Sequence, residues 1–368
     1  MTIPVVLVKK QRATTPSTTI VTTTTTTTTA SISTTTTRTT TTISRKKPSR
    51  KWIRSCFFFV VLKVLVLAEY DRSYLTDETV WKQNGRTVFI DRSSPNEFSD
   101  PGMLCGLAID DDQTIYVSSF TSTYLLKRSL NDDENQLIYQ NTEGGFGGGY
   151  RDFILDENNT IILCSSITSS IIRISIEHST AETIISDTNC YGIAIDNERN
   201  IYFSNDAEHV VKKWDSITHE ISIIAGGNGR GNGTDQLAHP TSIFIDDKQS
   251  LYISDFGNRR IMKGEPNSNE FRVVASDRNG LEQLESVGSI FVDHFEYVYV
   301  SDWATHRIVR CHERQQQQKC RTIAGGNDAG NQPNQLHYPA GIAVDKYGHL
   351  YVADRLNYRV QQFEIEFY

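Results

Sequence analysis

Six short stretches of the chain share one alternation of apolar runs and polar turns. In each stretch an apolar strand ends at an Asp, a turn follows, and a second apolar strand begins within a few residues. The terminal Asp residues lie 40 to 52 residues apart, a spacing that predicts one repeated unit. The six first strands are Gly106–Asp110, Asp152–Asp156, Gly192–Asp196, Ser242–Asp246, Ser289–Asp293 and Gly341–Asp345.

Each unit continues beyond these two strands. A third strand follows a short polar turn, as at Arg260–Met262, and several units add a fourth, as at Ile221–Ala225. Four antiparallel strands repeated every 40 to 50 residues are typical of a propeller blade, whose sheet needs neighbours to cover both faces. The pattern therefore predicts an all-β, six-bladed β-propeller over residues 80–366.

The last unit is incomplete, because the chain ends at Tyr368 after three strands. The apolar stretch Arg86–Ile90 lies before the first unit and belongs to no other blade. We expect Arg86–Ile90 to pair with Tyr358–Glu364, to complete the last blade and to close the ring.

The amino-terminal region differs in composition from the propeller. Residues 1–51 are rich in threonine and basic side chains and predict a disordered segment. Residues 52–68 contain the apolar run Cys56–Ala68, which is too short to span a membrane and suits a signal or anchor segment. A buried strand, or a wrongly assigned amino terminus, is the alternative interpretation. Basic residues before the run would place the propeller outside the cell, so we expect a secreted protein or membrane attachment through 53–68.

Charge further restricts the partner. Residues 1–68 hold eleven Lys or Arg and no Asp or Glu, so the other 300 residues carry 26 basic and 44 acidic side chains, a net charge of −18. Such an acidic body repels a phosphate backbone, and we expect no nucleic-acid partner.

The cysteines and sequons favour export. Cys311 and Cys320 flank a hairpin, where an antiparallel strand pair would bring them within disulfide distance. The alternative is two free thiols in the cytosol, and the pairing of Cys105, Cys164 and Cys190 stays open. Asn158 and Asn232 begin N-x-[ST] sequons in turns and are candidate glycosylation sites.

The repeats resemble the NHL repeat, a family of six-bladed propellers. The resemblance rests on D-x-x-N-x-R-[IV] at Asp255–Ile261 and Asp354–Val360, and on the Gly/Asn-rich linkers Ala225–Pro240 and Ala324–Pro339. It covers about residues 80–366, although the first two units lack the N-x-R element. It implies a scaffold for protein or peptide partners, while RNA-binding members supply a weaker alternative.

The recurring charged residues have a structural interpretation. An Asp before a tight turn accepts hydrogen bonds from backbone N–H groups, and an Asp five residues before an Arg across a hairpin forms an ion pair. The predicted turn residues are Asp110, Asp196, Asp246, Asp293 and Asp345. The predicted pairs are Asp255 with Arg260, Asp302 with Arg307 and Asp354 with Arg359.

A metal-dependent enzyme is the other function class. Lactonase-like propellers set carboxylates at the entrances of the inner strands, and amidating-lyase-like propellers set His residues there for zinc. The strand entrances here hold neither a carboxylate nor an imidazole: Cys105, Arg151, Tyr191, Thr241, Gly288 and Ala340. We therefore expect no catalytic residue, metal or cofactor.

Long loops on a rigid scaffold commonly carry recognition. The loops 226–240 and 325–339 lead into inner strands at one end of the ring. We expect a monomer that binds a protein or peptide through these loops and the adjacent strand entrances. The candidate binding residues are Arg151, Tyr191, Asn228, Arg230, His239, Asn327, His337 and Tyr338.

Overall fold

The protein was analysed as a computed structural model. The chain divides into two compact units, Met1–Tyr70 and Asp71–Tyr368. In the first unit, Val6–Leu7 pairs with Thr24–Thr25, and the rest of the predicted disordered and hydrophobic segments lies outside the described residues. The described residues are 6–7, 24–25, 75–76, 78–90, 103–121, 123–132, 134–141, 149–156, 159–266, 268, 270–276, 284–314 and 317–366.

The second unit is a six-bladed β-propeller, as the repeat predicts. Each blade is a four-stranded antiparallel sheet whose strands follow one another in chain order from the inner to the outer strand, with the last blade as the exception. Blades one to three consist of Leu104–Ile109, Thr114–Ser119, Tyr124–Ser129 and Gln136–Gln140; Tyr150–Asp156, Thr160–Ser165, Ser170–Ser175 and Ala181–Ile185; and Ile193–Ile195, Ile201–Asn205, Val210–Trp214 and Ile221–Gly226.

Blades four and five consist of Pro240–Ile245, Leu251–Asp255, Arg260–Gly264 and Phe271–Ser276; and Val287–Val292, Val298–Asp302, Arg307–Arg314 and Gln317–Gly325. Blade six contributes Pro339–Val344, Leu350–Asp354 and Arg359–Phe363. Short 3-10 turns at Phe256–Asn258 and Arg355–Asn357 join the second and third strands of blades four and six.

The predicted closure of the ring is confirmed. Arg86–Ile90 pairs antiparallel with Arg359–Phe363 and forms the outer strand of blade six. A second pairing, Val80–Trp81 with Ile365–Glu366, extends the junction. Trp81 is buried, and its indole N–H donates to the carbonyl of Gly348 at 3.0 Å.

The Asp that ends an inner strand organises the turn after it. In blade six, Asp345 Oδ1 accepts the N–H groups of Tyr347 and His349, each at 2.9 Å. Its Oδ2 accepts the hydroxyl of Tyr351, on the second strand, at 3.1 Å. The same tyrosine bond recurs with Asp110, Asp196, Asp246 and Asp293. The carboxylate thus accepts backbone N–H groups that the tight turn leaves without a backbone acceptor.

The apolar core lies between neighbouring blades. Tyr252 and Ile261 of blade four pack with Val300 of blade five, and all three are buried. At the junction of the last and first blades, Phe89 of the closing strand belongs to the same buried cluster as Val117. Each blade therefore depends on both neighbours for the burial of its two faces.

Loss of the closing strand should disrupt the whole ring. We expect deletion of residues 80–91 to abolish the cooperative thermal transition, because blade six loses its outer strand and Phe89 leaves the core between blades. Thermal unfolding followed by circular dichroism measures this. Deletion of twelve residues from the threonine tract, 24–35, is the matched control and should leave the transition in place. A cooperative melt after deletion of 80–91 would contradict the closure.

Candidate functional site

One end of the ring forms a continuous surface, here called the loop face. It consists of the connections 226–240 and 325–339, which run from an outer strand to the next inner strand, and of the turns between second and third strands. The two kinds of segment touch, because the N–H of Leu356 donates to the carbonyl of His337 at 3.0 Å and the N–H of Gly257 donates to that of Ala238 at 2.8 Å.

A buried charged clamp holds the second long loop. Asp354 is fully buried and accepts the Arg359 Nε–H at 2.7 Å and the N–H of His337 at 2.7 Å. The Arg359 guanidinium also donates to loop carbonyls, those of Asn331, Gln332 and Gln335. Asn357 donates to Asp354 and to the carbonyl of Gly330. The clamp satisfies both charged groups while it fixes the loop on the blade.

The first long loop has an equivalent clamp. Arg260 donates to Asp255 at 2.7 Å and to the carbonyls of Asn232, Gly233 and Gln236. In blade five, Arg307 donates to Asp302 at 3.2 Å. The Asp302 carboxylate also accepts the backbone N–H groups of Glu285 and Ser286, which directly precede the inner strand of that blade. The Asp, Asn and Arg of the D-x-x-N-x-R pattern therefore position the loops.

The central axis of the ring opens on the loop face. Cationic and aromatic side chains line this opening, here called the mouth: Arg151, Tyr191, Phe120, Arg355 and Trp303. The Arg151 guanidinium lies 4.4 Å from the ring centroid of Tyr191 and 5.5 Å from that of Phe120. The Arg355 guanidinium approaches Phe120 from another blade, at 5.6 Å. Trp303 also lines this cavity, and a side chain at Gly288 would collide with its indole, which explains the glycine at that strand entrance.

The mouth contains groups with shifted pKa values. Burial raises the pKa of Asp152 to about 7, although its carboxyl accepts N–H groups from Ile193 and Phe153 that lower it. Burial also raises the pKa of the Cys105 thiol, while Arg355 and Arg151 act in the opposite direction. Burial raises the pKa of Tyr191 to about 12. At neutral pH the thiol and the phenol are neutral, the Asp152 carboxyl is about half ionised, and the two guanidiniums carry the positive charge.

The structure separates the eight candidate binding residues. Arg151 and Tyr191 meet at the mouth, whereas the other six lie on the two long loops. The side chains of Asn228 and Asn327 are used within their loops: Asn228 donates to Asp235 at 2.9 Å, and Asn327 donates to the carbonyl of Asn334 at 2.9 Å. These two amides therefore hold loop geometry.

The imidazoles and the exposed residues complete the loop face. His239 packs edge-on against His209, with ring centroids 4.5 Å apart. His337 and Tyr338 both contact His306, and Tyr338 is 44% exposed. Arg230 is exposed on the first loop.

Sequence reasoning missed Phe120, Trp303, Arg355 and Asp152 at the mouth. The first three directly follow the last residue of a second strand, at Ser119, Asp302 and Asp354. Every repeat places one residue at this position, so the repeat alignment contained a signal for a second ring of mouth residues. These residues come from different blades and meet near the axis only in the assembled ring.

The described residues contain two disulfides. Cys311 and Cys320 lie opposite each other on the third and outer strands of blade five and form one of them. Cys164 and Cys190 form the other, a pairing that the sequence left open, and Cys105 is a free thiol. Asn232 is exposed, and Asn158 lies outside the described residues.

Two further properties concern only the part of the chain that the structure describes. Within it, no helix is long and apolar enough to cross a membrane. Within the same residues, no three His, Cys, Asp or Glu side chains gather as metal ligands.

The raised pKa of Asp152 predicts a pH-dependent stability. Folded protein keeps this proton up to about pH 7 and unfolded protein releases it near pH 4, so the free energy of unfolding decreases as pH rises across this window. Asp152→Asn should therefore gain stability relative to wild type, by about 2 kcal/mol, between pH 4 and pH 8. Thermal melts across this range measure the gain, with exposed Asp112→Asn as the control. An equal difference at both pH values would contradict the assignment.

Solved structures resemble this fold. An auxiliary nutrient binding protein from Bacteroides thetaiotaomicron matches with a TM-score of 0.60 and 13% identity, over 79% of this chain and 78% of that chain. Virginiamycin B lyase from Staphylococcus aureus matches with 0.54 and 9%, over 77% and 99%. A chain of a nidogen/laminin complex matches with 0.53 and 17%, over 72% and 97%. At these identities the likeness shows the fold alone.

At the sequence level, no curated protein matches the chain. The family model of the NHL repeat matches residues 336–363, which span the end of the second long loop and the first three strands of blade six. This match contains Asp354, Asn357 and Arg359 of the clamp. The chain therefore contains an NHL repeat at residues 336–363 and has a six-bladed β-propeller fold.

Proposed function

We propose that the propeller is a non-catalytic scaffold that binds a protein or peptide partner through its loop face. The observation that carries the proposal is the clamped geometry of the two long loops. Each loop is hydrogen-bonded along its backbone to a buried Asp–Arg pair, so little conformational entropy is lost when a partner binds.

The side chains on this face suit a polypeptide partner. Tyr338 is half-exposed above two imidazoles, and the mouth adds aromatic rings and guanidiniums. Tyr, Trp and Arg are the residues that dominate binding energy at protein interfaces. The acidic charge of the propeller supports a polypeptide over an RNA partner.

An extracellular location belongs to the same proposal. The disulfides Cys164–Cys190 and Cys311–Cys320 suit an oxidising compartment, and the exposed sequon at Asn232 suits a secreted or membrane-anchored glycoprotein. Glycosidase treatment and amino-terminal sequencing of the mature protein test the location.

A matched pair of tyrosines tests the binding face. Tyr338 lies on the loop face and Tyr347 lies in a turn at the opposite end of the ring, with exposed fractions of 44% and 38%. We expect a peptide selected from a displayed random library on the immobilised full chain to lose about tenfold affinity with Tyr338→Ala, because an aromatic anchor is removed. Tyr347→Ala should leave affinity within about twofold.

The same experiment can reject the proposal. Equal loss with both substitutions, loss with Tyr347→Ala alone, or a library that yields no peptide would contradict binding through the loop face. Metal analysis of the same preparation distinguishes the alternative, because stoichiometric zinc or calcium would favour a metal-dependent propeller enzyme.

A further inference from the structure

Three cavities follow one another along the axis of the ring. The mouth shares Asp152, Ser242 and Ser289 with a middle cavity, and the middle cavity shares apolar residues such as Phe244 and Phe291 with a third cavity at the opposite end. Neighbouring cavities have lining residues in common and are surrounded by the six inner strands, so they lie in series along the axis. The series is called the tunnel here, and its middle cavity has a volume of about 350 Å³.

The side chains that line the middle of the tunnel are mostly apolar. The inner strands of all six blades line it, and its polar side chains are the three that it shares with the mouth. Partly exposed apolar residues such as Ile109, Ile195 and Phe244 face this space. The lining also exposes polar surface, so the tunnel can hold water, and an alkyl chain gains free energy by covering the apolar side chains.

The mouth supplies unused donors for an anion. Among the described residues, no carboxylate pairs with the guanidinium of Arg151 or Arg355. The Nε of Arg151 and the indole nitrogen of Trp303 are buried and have no hydrogen-bond partner. Buried donors without partners are costly, and a bound carboxylate would satisfy them.

The far end of the tunnel has the opposite charge. Asp110, Asp111, Asp247, Asp293 and Asp345 line it, against Lys346 and His294. A carboxylate is therefore attracted to the Arg end and repelled from the Asp end, and this asymmetry gives an elongated anion one orientation.

From this arrangement we propose that the tunnel binds a small amphiphilic carboxylate, an unbranched alkanoate, with its carboxylate at Arg151 and Arg355 and its alkyl chain between the inner strands. This ligand is additional to the polypeptide partner of the loop face. An inorganic anion satisfies the donors but leaves the apolar tunnel empty, and a neutral hydrocarbon leaves the guanidiniums without a partner.

Decanoate, below its micelle concentration, is the probe for this site. Titration of the full chain, followed by calorimetry and by tryptophan fluorescence, should give saturable binding of one decanoate. Acetate, which has the head group alone, and decylammonium, which has the same tail with the opposite charge, should each bind at least tenfold more weakly. Equal binding of decylammonium would overturn the proposal, as would an absence of decanoate binding.

Substitutions locate the ligand. Arg151→Gln and Arg355→Gln should each weaken decanoate binding at least tenfold, while Arg272→Gln, the same charge change on the outer strand of blade four, should leave it unchanged. Ser289→Leu, at the junction of mouth and middle, should obstruct the alkyl chain.

Thermal melts accompany each variant, and only variants that keep the wild-type transition are compared. Arg355 lies in a surface turn, so its substitution provides a test if Arg151→Gln fails to fold. Equal affinity of Arg355→Gln, Arg272→Gln and wild type would overturn the proposal. Decanoate binding to Tyr338→Ala separates this result from failure of the proposed function, because Tyr338 lies on the loop face outside the tunnel and its loss should leave decanoate affinity unchanged.

Discussion

The buried pairing of Asp354 with Arg359, and of Asp255 with Arg260, is the interaction on which the loop face depends. Each carboxylate lies on a second strand that the core already buries, and each guanidinium reaches across the hairpin to carbonyls of a loop from the preceding blade. A buried charge needs complete hydrogen bonding, and here the loop backbone provides it. The same contacts therefore provide hydrogen bonds for the buried charges and fix the conformation of the loop. A long Gly/Asn-rich connection thereby becomes a defined surface.

Closure of the ring is the second constraint. A blade buries its faces only between neighbours, so the ring needs the strand Arg86–Ile90 to cover the edge of blade six and to place Phe89 against blade one. Closure also creates the axial tunnel, because six inner strands surround a space that none of them could enclose alone. The tunnel has cationic and aromatic groups at one end and carboxylates at the other.

The candidate site was partly accessible from the sequence. Arg151 and Tyr191 stand at strand entrances, and the repeat alignment predicts that both lie near the axis. The prediction gave the same weight to Asn228 and Asn327, whose amides the structure uses inside their loops. Composition cannot distinguish a loop-stabilising Asn from a ligand-binding one, because an exposed Asn in a Gly-rich loop has the same sequence pattern in both roles. Phe120 and Arg355 come from blades one and six, and only the closed ring brings them together.

The sequence by itself determined the number of blades, the strand order and the origin of the closing strand, because periodic burial and turn chemistry are local properties that repeat. It also determined the turn N–H groups and the Arg that the Asp residues bind, since a carboxylate before a turn or five residues before an Arg has these donors close along the chain. The tertiary structure alone decided which residues form the mouth, which cysteine joins Cys164, and which guanidiniums have no carboxylate partner among the described residues. These depend on distances between blades that are far apart in the chain, and such distances arise only when the ring closes.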